Sequence, residues 1–202
     1  DSLTTDGKVV FSRVSQYIDT PFEVAHGGGI FRSHTIELGS EEDLALQALN
    51  KDVMKAFGMQ YSASHSEFIK CNEDSKYYFL ETASRVGGAN LAEMVEFASG
   101  INLWAEWAKI ETAAVRNQKY KLPQVRKDHA GIIVSLSRFE HPDTSSFEDK
   151  EIVWRMKKDY HIGLILLSKN RSKNLQLLDK YAERVKNEFH ASLPAKEKLV
   201  GE

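Results

Sequence analysis

What most constrains this chain is a pair of strand-like segments tied closely together. Ser62 to Cys71 and Lys76 to Thr82 are separated by Asn72-Glu73-Asp74-Ser75, a polar cluster suited to a tight connection, so the pair predicts an antiparallel hairpin. Side chains alternate along a strand. His65, Glu67 and Ile69 are therefore expected on one face of the first strand, and Phe79, Glu81 and Ala83 on one face of the second. If the hairpin pairs as predicted, Glu67 and Glu81 converge.

Two adjacent carboxylates repel unless a cation or a proton intervenes. Magnesium takes hard oxygen ligands, often one or two carboxylates completed by substrate phosphates. Two Glu residues without Cys or paired His ligands suit a magnesium–nucleotide better than zinc. Arg85 adds a planar fork for phosphate or carboxylate, and Gly87-Gly88 permits close backbone approach to a ligand.

The remaining segments predict an α+β chain. Leu3, the turn Thr5-Asp6-Gly7 and Val9 to Val14 form an opening hairpin, because Asp-Gly favours the primed turn that joins two strands. The chain opens inside this motif on Asp1 and not on a methionine, which leads us to expect an upstream portion. A loop-like stretch through Gly27, Gly28 and Gly29 follows, then an alternating strand from Ile30 to Leu38. Those glycines read either as a phosphate-touching loop or as plain turns, and no Lys-Ser or Lys-Thr follows as a P-loop requires. Ser40 is the expected N-cap of a helix carrying Leu46, Leu49, Val53 and Phe57 and ended by Gly58. Past the central hairpin, Leu91, Met94, Val95 and Ala98 predict a helix stopped at Gly100. Asn102 caps the next, which runs through Trp107, Ile110 and Ala114, with Trp104 and Trp107 read as packing residues.

Residues 117–128 are polar, aperiodic and contain Pro123, which places a boundary between a unit at 1–117 and a smaller one at 127–202. The second is expected to be βββα: strands at His129 to Phe139, Glu151 to Met156 and Ile162 to Ser168, then a helix capped by Ser172 with Leu175, Leu178, Ala182, Val185 and Phe189 along its seam.

Charge narrows the partners. The 27 basic and 29 acidic residues are spread along the chain and give a net −2, so no broad field exists to attract nucleic acid or an anionic membrane. Cys71 has no second cysteine to pair with, and no apolar run has the length of a membrane span. Both fit a reducing cytoplasm.

The run His65-Ser66-Glu67-Phe68-Ile69, a polar turn, then Phe79-Leu80-Glu81-Thr82-Ala83-Ser84-Arg85-Val86-Gly87-Gly88 resembles the last two motif strands of the ATP-grasp superfamily, which includes biotin carboxylase and the amino-acid ligases. The similarity extends to Asp1-Ser2-Leu3 with its Asp-Gly turn, Phe57-Gly58, and Gly100-Ile101-Asn102-Leu103-Trp104, and so covers residues 1–115.

The resemblance implies the C-terminal ATP-grasp subdomain, an antiparallel sheet with packed helices, followed by a small strand-rich α+β domain. It implies ATP with one or two magnesium ions held by Glu67 and Glu81, and Arg85 on phosphate or an acyl-phosphate. Ile69, Leu80, Gly87 and Gly88 would lie around the nucleotide. Ala83 stands where family members often carry Asn as a further metal ligand, which bears on the second ion. The implied activity is carboxylate–amine ligation of small carboxylates with amines or amino acids. A biotin carboxylase-like or acid–thiol ligase, and a nucleotide-binding module without turnover, stand as alternatives. An isolated chain of this extent is expected to bind ATP weakly and turn over nothing. For the second unit, three roles stay open: covering the core, shaping the acceptor pocket, or supporting a homodimer.

Overall fold

A computed structural model describes residues 1–19, 24 and 29–191. Gly27 and Gly28 lie outside the described residues. In chain order the strands are β1 (Ser2–Thr5), β2 (Lys8–Ser12), β3 (Ser15–Tyr17), β4 (Phe31–Thr35), β5 (Ser62–Lys70), β6 (Tyr77–Ala83), β7 (His129–Leu136), β8 (Ile152–Arg155) and β9 (His161–Ser168). The helices are α1 (Glu41–Ala56), α2 (Leu91–Ser99), α3 (Leu103–Val115) and α4 (Arg171–Glu188). The chain divides into two compact units, Asp1–Ser15 with Thr35–His129, and Gln16–His34 with Ala130–Glu202.

The first unit is built on a sheet of order β2-β1-β5-β6 with antiparallel pairs throughout. Asp6 and Gly7 both have positive φ (50° and 71°), the backbone of a primed turn, and close the β1–β2 hairpin. The Ser40 hydroxyl accepts from the Asp43 amide at 3.2 Å and starts α1; Gly58, at φ 62°, follows its end. Leu3, Phe11 and Ala63 on the sheet pack with Val95, Leu103 and Ile110 of α2 and α3 into one core. This helical cover ends part-way along the central hairpin: β5 is buried at Ser62, Ala63 and Ser64, half-buried from His65 to Phe68, and exposed at Ile69 and Lys70.

Two expected packing positions are exposed. Phe57 sits past the end of α1 at 63% exposure, its ring centroid 6.1 Å from that of Phe79. Trp104 is 57% exposed and stacks on the half-buried Trp107, because the seam of α3 runs through Leu103, Glu106 and Ile110. Glu106 is buried and accepts from Lys109 Nζ and from the Tyr120 hydroxyl, each at 2.7 Å. The polar stretch after α3 also closes α2: the guanidinium of Arg126 donates to the Phe97 carbonyl at 2.9 Å.

The second unit has a sheet of order β3-β4-β7-β9-β8, larger than the three strands expected. Its two additional strands come from ahead of α1: β4 pairs antiparallel with β7, with His34 opposite Gly131 and Phe31 opposite Val134. An alternating segment declares itself a strand but not its partner. Leu177, Leu178, Tyr181, Val185 and Phe189 pack on Ile133, Ile162, Leu164 and Leu166 as predicted for an amphipathic helix on a buried sheet. The cap of α4 differs from expectation. Asn170, two residues before Ser172, accepts from the Lys173 amide at 3.0 Å, and Ser172 lies within the helix.

Among the described residues no helix is long and apolar enough to cross a membrane.

Candidate active site

The site is the half of the β5–β6 hairpin that extends past its helical cover. Counted outward from the turn, Lys70 faces Tyr77, Ile69 faces Tyr78 and Phe68 faces Phe79. An unbroken ladder would next set Glu67 opposite Leu80 and turn Glu81 to the other side of the sheet. Instead the register shifts between Glu67 and Phe68, and from there Glu67 faces Glu81, Ser66 faces Thr82 and His65 faces Ala83. Leu80 is the extra residue of a β-bulge. Side-chain contacts agree on both flanks: the Ser66 and Thr82 hydroxyls are 2.8 Å apart, and the rings of Phe68 and Phe79 meet edge to face at 6.0 Å.

The bulge corrects the simple alternation, which places Phe79 on the face of Glu81. Phe79 lies instead with Phe68 and Tyr77 on the side of α1, where the Tyr77 hydroxyl donates to Glu42 at 2.8 Å. Glu67, Glu81, Ile69 and Tyr78 are left on the opposite, open side. Directly paired residues carry their Cβ atoms about 4.5–5.5 Å apart, close enough for both carboxylates to reach one cation. Glu67 is half-buried and Glu81 exposed, while Ile69 and Leu80 are each 53% exposed beside them.

Among the described residues no cluster of three or more His, Cys, Asp or Glu side chains is set to hold a metal. A pair of hard oxygen donors on an open strand face fits magnesium, which completes its shell with water and phosphate oxygens. It does not fit a closed four-ligand zinc site.

Behind Glu67 lies a buried polar group that alternation did not reveal. The Asp1 carboxylate, 3% exposed, accepts from the Gly87 amide at 3.1 Å and from His65 Nδ1 at 3.1 Å. His65 Nε2 is 3.5 Å from Glu67 Oε1. Burial holds the His65 pKa below its usual value; Glu67 acts in the opposite sense and Arg85 adds to the lowering. Asp1 and His65 are 64 residues apart, and only the pairing of β1 with β5 brings them together.

The residues after β6 divide into two kinds. Arg85 is exposed and donates from Nη1 to the Val86 carbonyl at 2.9 Å. A Cβ on Gly87 would stand 2.9 Å from Asp1 Oδ1 and 3.0 Å from His65 Nδ1, so the glycine is required by close packing inside the protein. Gly88 has nothing within 4 Å of where a Cβ would be and is open to a ligand.

Comparison with solved structures identifies the fold. The chain has the fold of the C-terminal region of ATP-grasp enzymes. It is similar to the L-amino acid ligase from Bacillus licheniformis at a TM-score of 0.65 and 15% identity, over 94% of this chain and 49% of that one. It is also similar to phosphoribosylglycinamide synthetase from Anaerococcus prevotii at 0.59 and 16%, over 94% and 51%, and to the multifunctional pyruvate carboxylase from Rhizobium etli at 0.59 and 15%, over 94% and 19%. The chain thus spans about half the length of the first two, and at these identities the likeness is one of fold. Neither a protein-family model nor a curated protein matches the sequence.

Proposed function

We propose that this chain is the part of an ATP-dependent carboxylate–amine ligase that holds the magnesium–phosphate end of the nucleotide. The observation that carries this reading is the pairing of Glu67 with Glu81 across a bulge on the open side of an ATP-grasp sheet. Magnesium, when bound, supplies the positive charge against which a γ-phosphoryl group can pass to a substrate carboxylate. Glu67 and Glu81 would hold it, and the exposed Arg85 would offer its guanidinium to the phosphoryl group being transferred. Ile69 and Leu80 offer apolar surface for the adenine ring, and Gly88 lets the backbone come near the phosphates.

In the reaction, a carboxylate oxygen bonds to the γ-phosphorus as the bond to ADP breaks. An amine nitrogen then bonds to the acyl carbon, inorganic phosphate leaves, and the amine gives up a proton. Little covalent work falls to the protein, whose contribution is placement and charge. Nucleotide binding without turnover is a second reading, favoured by Ala83 opposite His65, a position that offers no further oxygen ligand. A biotin carboxylase-like or acid–thiol ligase would share the phosphate chemistry and differ in acceptor.

The test is ADP release by the complete protein carrying this chain, with magnesium-ATP and pooled amino acids and small carboxylates, for the wild type and Glu81→Gln. Substrate-dependent release that falls by about 10²-fold or more on substitution supports the ligase. Release that survives Glu81→Gln refutes the assignment, and nucleotide binding without release favours the second reading.

A further inference from the structure

Resting on that reading, we infer that His65, pinned by Asp1, is a positioning residue whose ring backs the Glu67 carboxylate and turns it toward the metal. The Asp1 carboxylate can only accept, so the hydrogen bond at 3.1 Å places a proton on His65 Nδ1 and fixes the plane of the ring. The same oxygen, Asp1 Oδ1, accepts from the Gly87 amide at 3.1 Å. One buried carboxylate thus anchors both β5 and the segment just after Arg85.

The far edge of the ring faces Glu67, with Nε2 at 3.5 Å from Oε1. The imidazole is 12% exposed and Glu67 is 24% exposed, so the ring closes the inner side of Glu67 and leaves the carboxylate to face Glu81 and the open surface. A residue that orients a metal carboxylate from behind typically changes metal affinity by about 10–100-fold when replaced. The bulge sets which side of the sheet Glu81 occupies; the Asp1–His65 pair sets the direction of its partner.

The experiment titrates the isotope-labelled 202-residue chain with Mn2+–ADP and reads paramagnetic broadening around Glu67 and Glu81, which reports even weak binding. His65→Gln should weaken apparent affinity by about 10-fold. In a Glu67→Gln background the same change should add nothing, because His65 acts through the carboxylate already removed. Urea unfolding run alongside verifies that each variant is folded. Should His65→Gln fail to fold, Asp1→Asn keeps an acceptor for the Gly87 amide while loosening the hold on His65, and a few-fold loss that vanishes in the Glu67→Gln background is expected. Unchanged affinity, or an equal loss added to that of Glu67→Gln, overturns the positioning role. Broadening that ignores both Glu67→Gln and Glu81→Gln overturns the magnesium reading itself, and the positioning role with it.

Discussion

Gly87 and Gly88 are neighbours with opposite environments, and replacing each by alanine tests the polar group behind the site. At Gly87 the new Cβ would lie 2.9 Å from Asp1 Oδ1, 3.0 Å from His65 Nδ1 and 3.2 Å from Leu91 Cβ, so something must move. Asp1 cannot yield freely, because the same oxygen accepts from both the Gly87 amide and His65. Overpacking of this kind costs about 1–3 kcal/mol, and weakening hydrogen bonds to a charged acceptor adds part of the 1.5–3 kcal/mol each is worth, which gives about 2–4 kcal/mol for Gly87→Ala. Gly88→Ala meets nothing within 4 Å and should stay within about 0.5 kcal/mol of wild type. The assay is urea unfolding in a Trp154→Phe background, so that fluorescence follows Trp104 and Trp107 on α3 of the first unit. If the two alanine variants unfold at the same urea concentration, Asp1 and His65 are not packed against Gly87 and the polar group behind Glu67 does not exist as described.

The bulge yields a paired test by Mn2+–ADP broadening: exchanging the order of two residues, Leu80→Glu with Glu81→Leu, should abolish binding at unchanged composition, while deleting Leu80 should keep the metal at the pair because Glu81 then still faces Glu67, with a loss limited to the apolar contact Leu80 offers the adenine. His65 should make stability pH-dependent. Its folded pKa lies below the unfolded value of about 6.5, so the unfolded state takes up the proton first, and stability present above that pH is lost as pH falls through the lower folded value. The urea midpoint of wild type should therefore drop below pH 6.5 more steeply than that of His65→Gln. At the start of α4, Asn170→Ala should cost about 1 kcal/mol and Ser172→Ala close to nothing, since the cap hydrogen bond comes from Asn170; equal thermal shifts would contradict this. Tyr120→Phe takes a donor from buried Glu106 and should destabilise the first unit by about 1–3 kcal/mol, checked by the same unfolding assay.

What could be read from the sequence was local. The Asp6-Gly7 turn, the Ser40 and Asn102 caps and the hairpin about Asn72–Ser75 each follow from residues within a few positions of one another, where backbone preference and a single hydrogen bond decide the outcome. What escaped depends on distant pairing. Nothing near Phe31–Thr35 tells that strand to join β7 and not the β1–β5 sheet, and nothing near Asp1 announces that it will receive Gly87 and His65. The carboxylate pair falls between these cases. Strict alternation from the turn separates Glu67 from Glu81, and Leu80 carries no glycine or proline signature that would mark a bulge. The convergence therefore comes from a local irregularity. It sits where the sheet outruns its cover of α2 and α3, so the twist it adds meets no packed core. A bulge in the buried part of β5 would have to displace Ala63 or its neighbours from a close-packed layer. At the exposed end it turns one carboxylate to face another, an arrangement that two like charges disfavour on their own and a divalent cation stabilises.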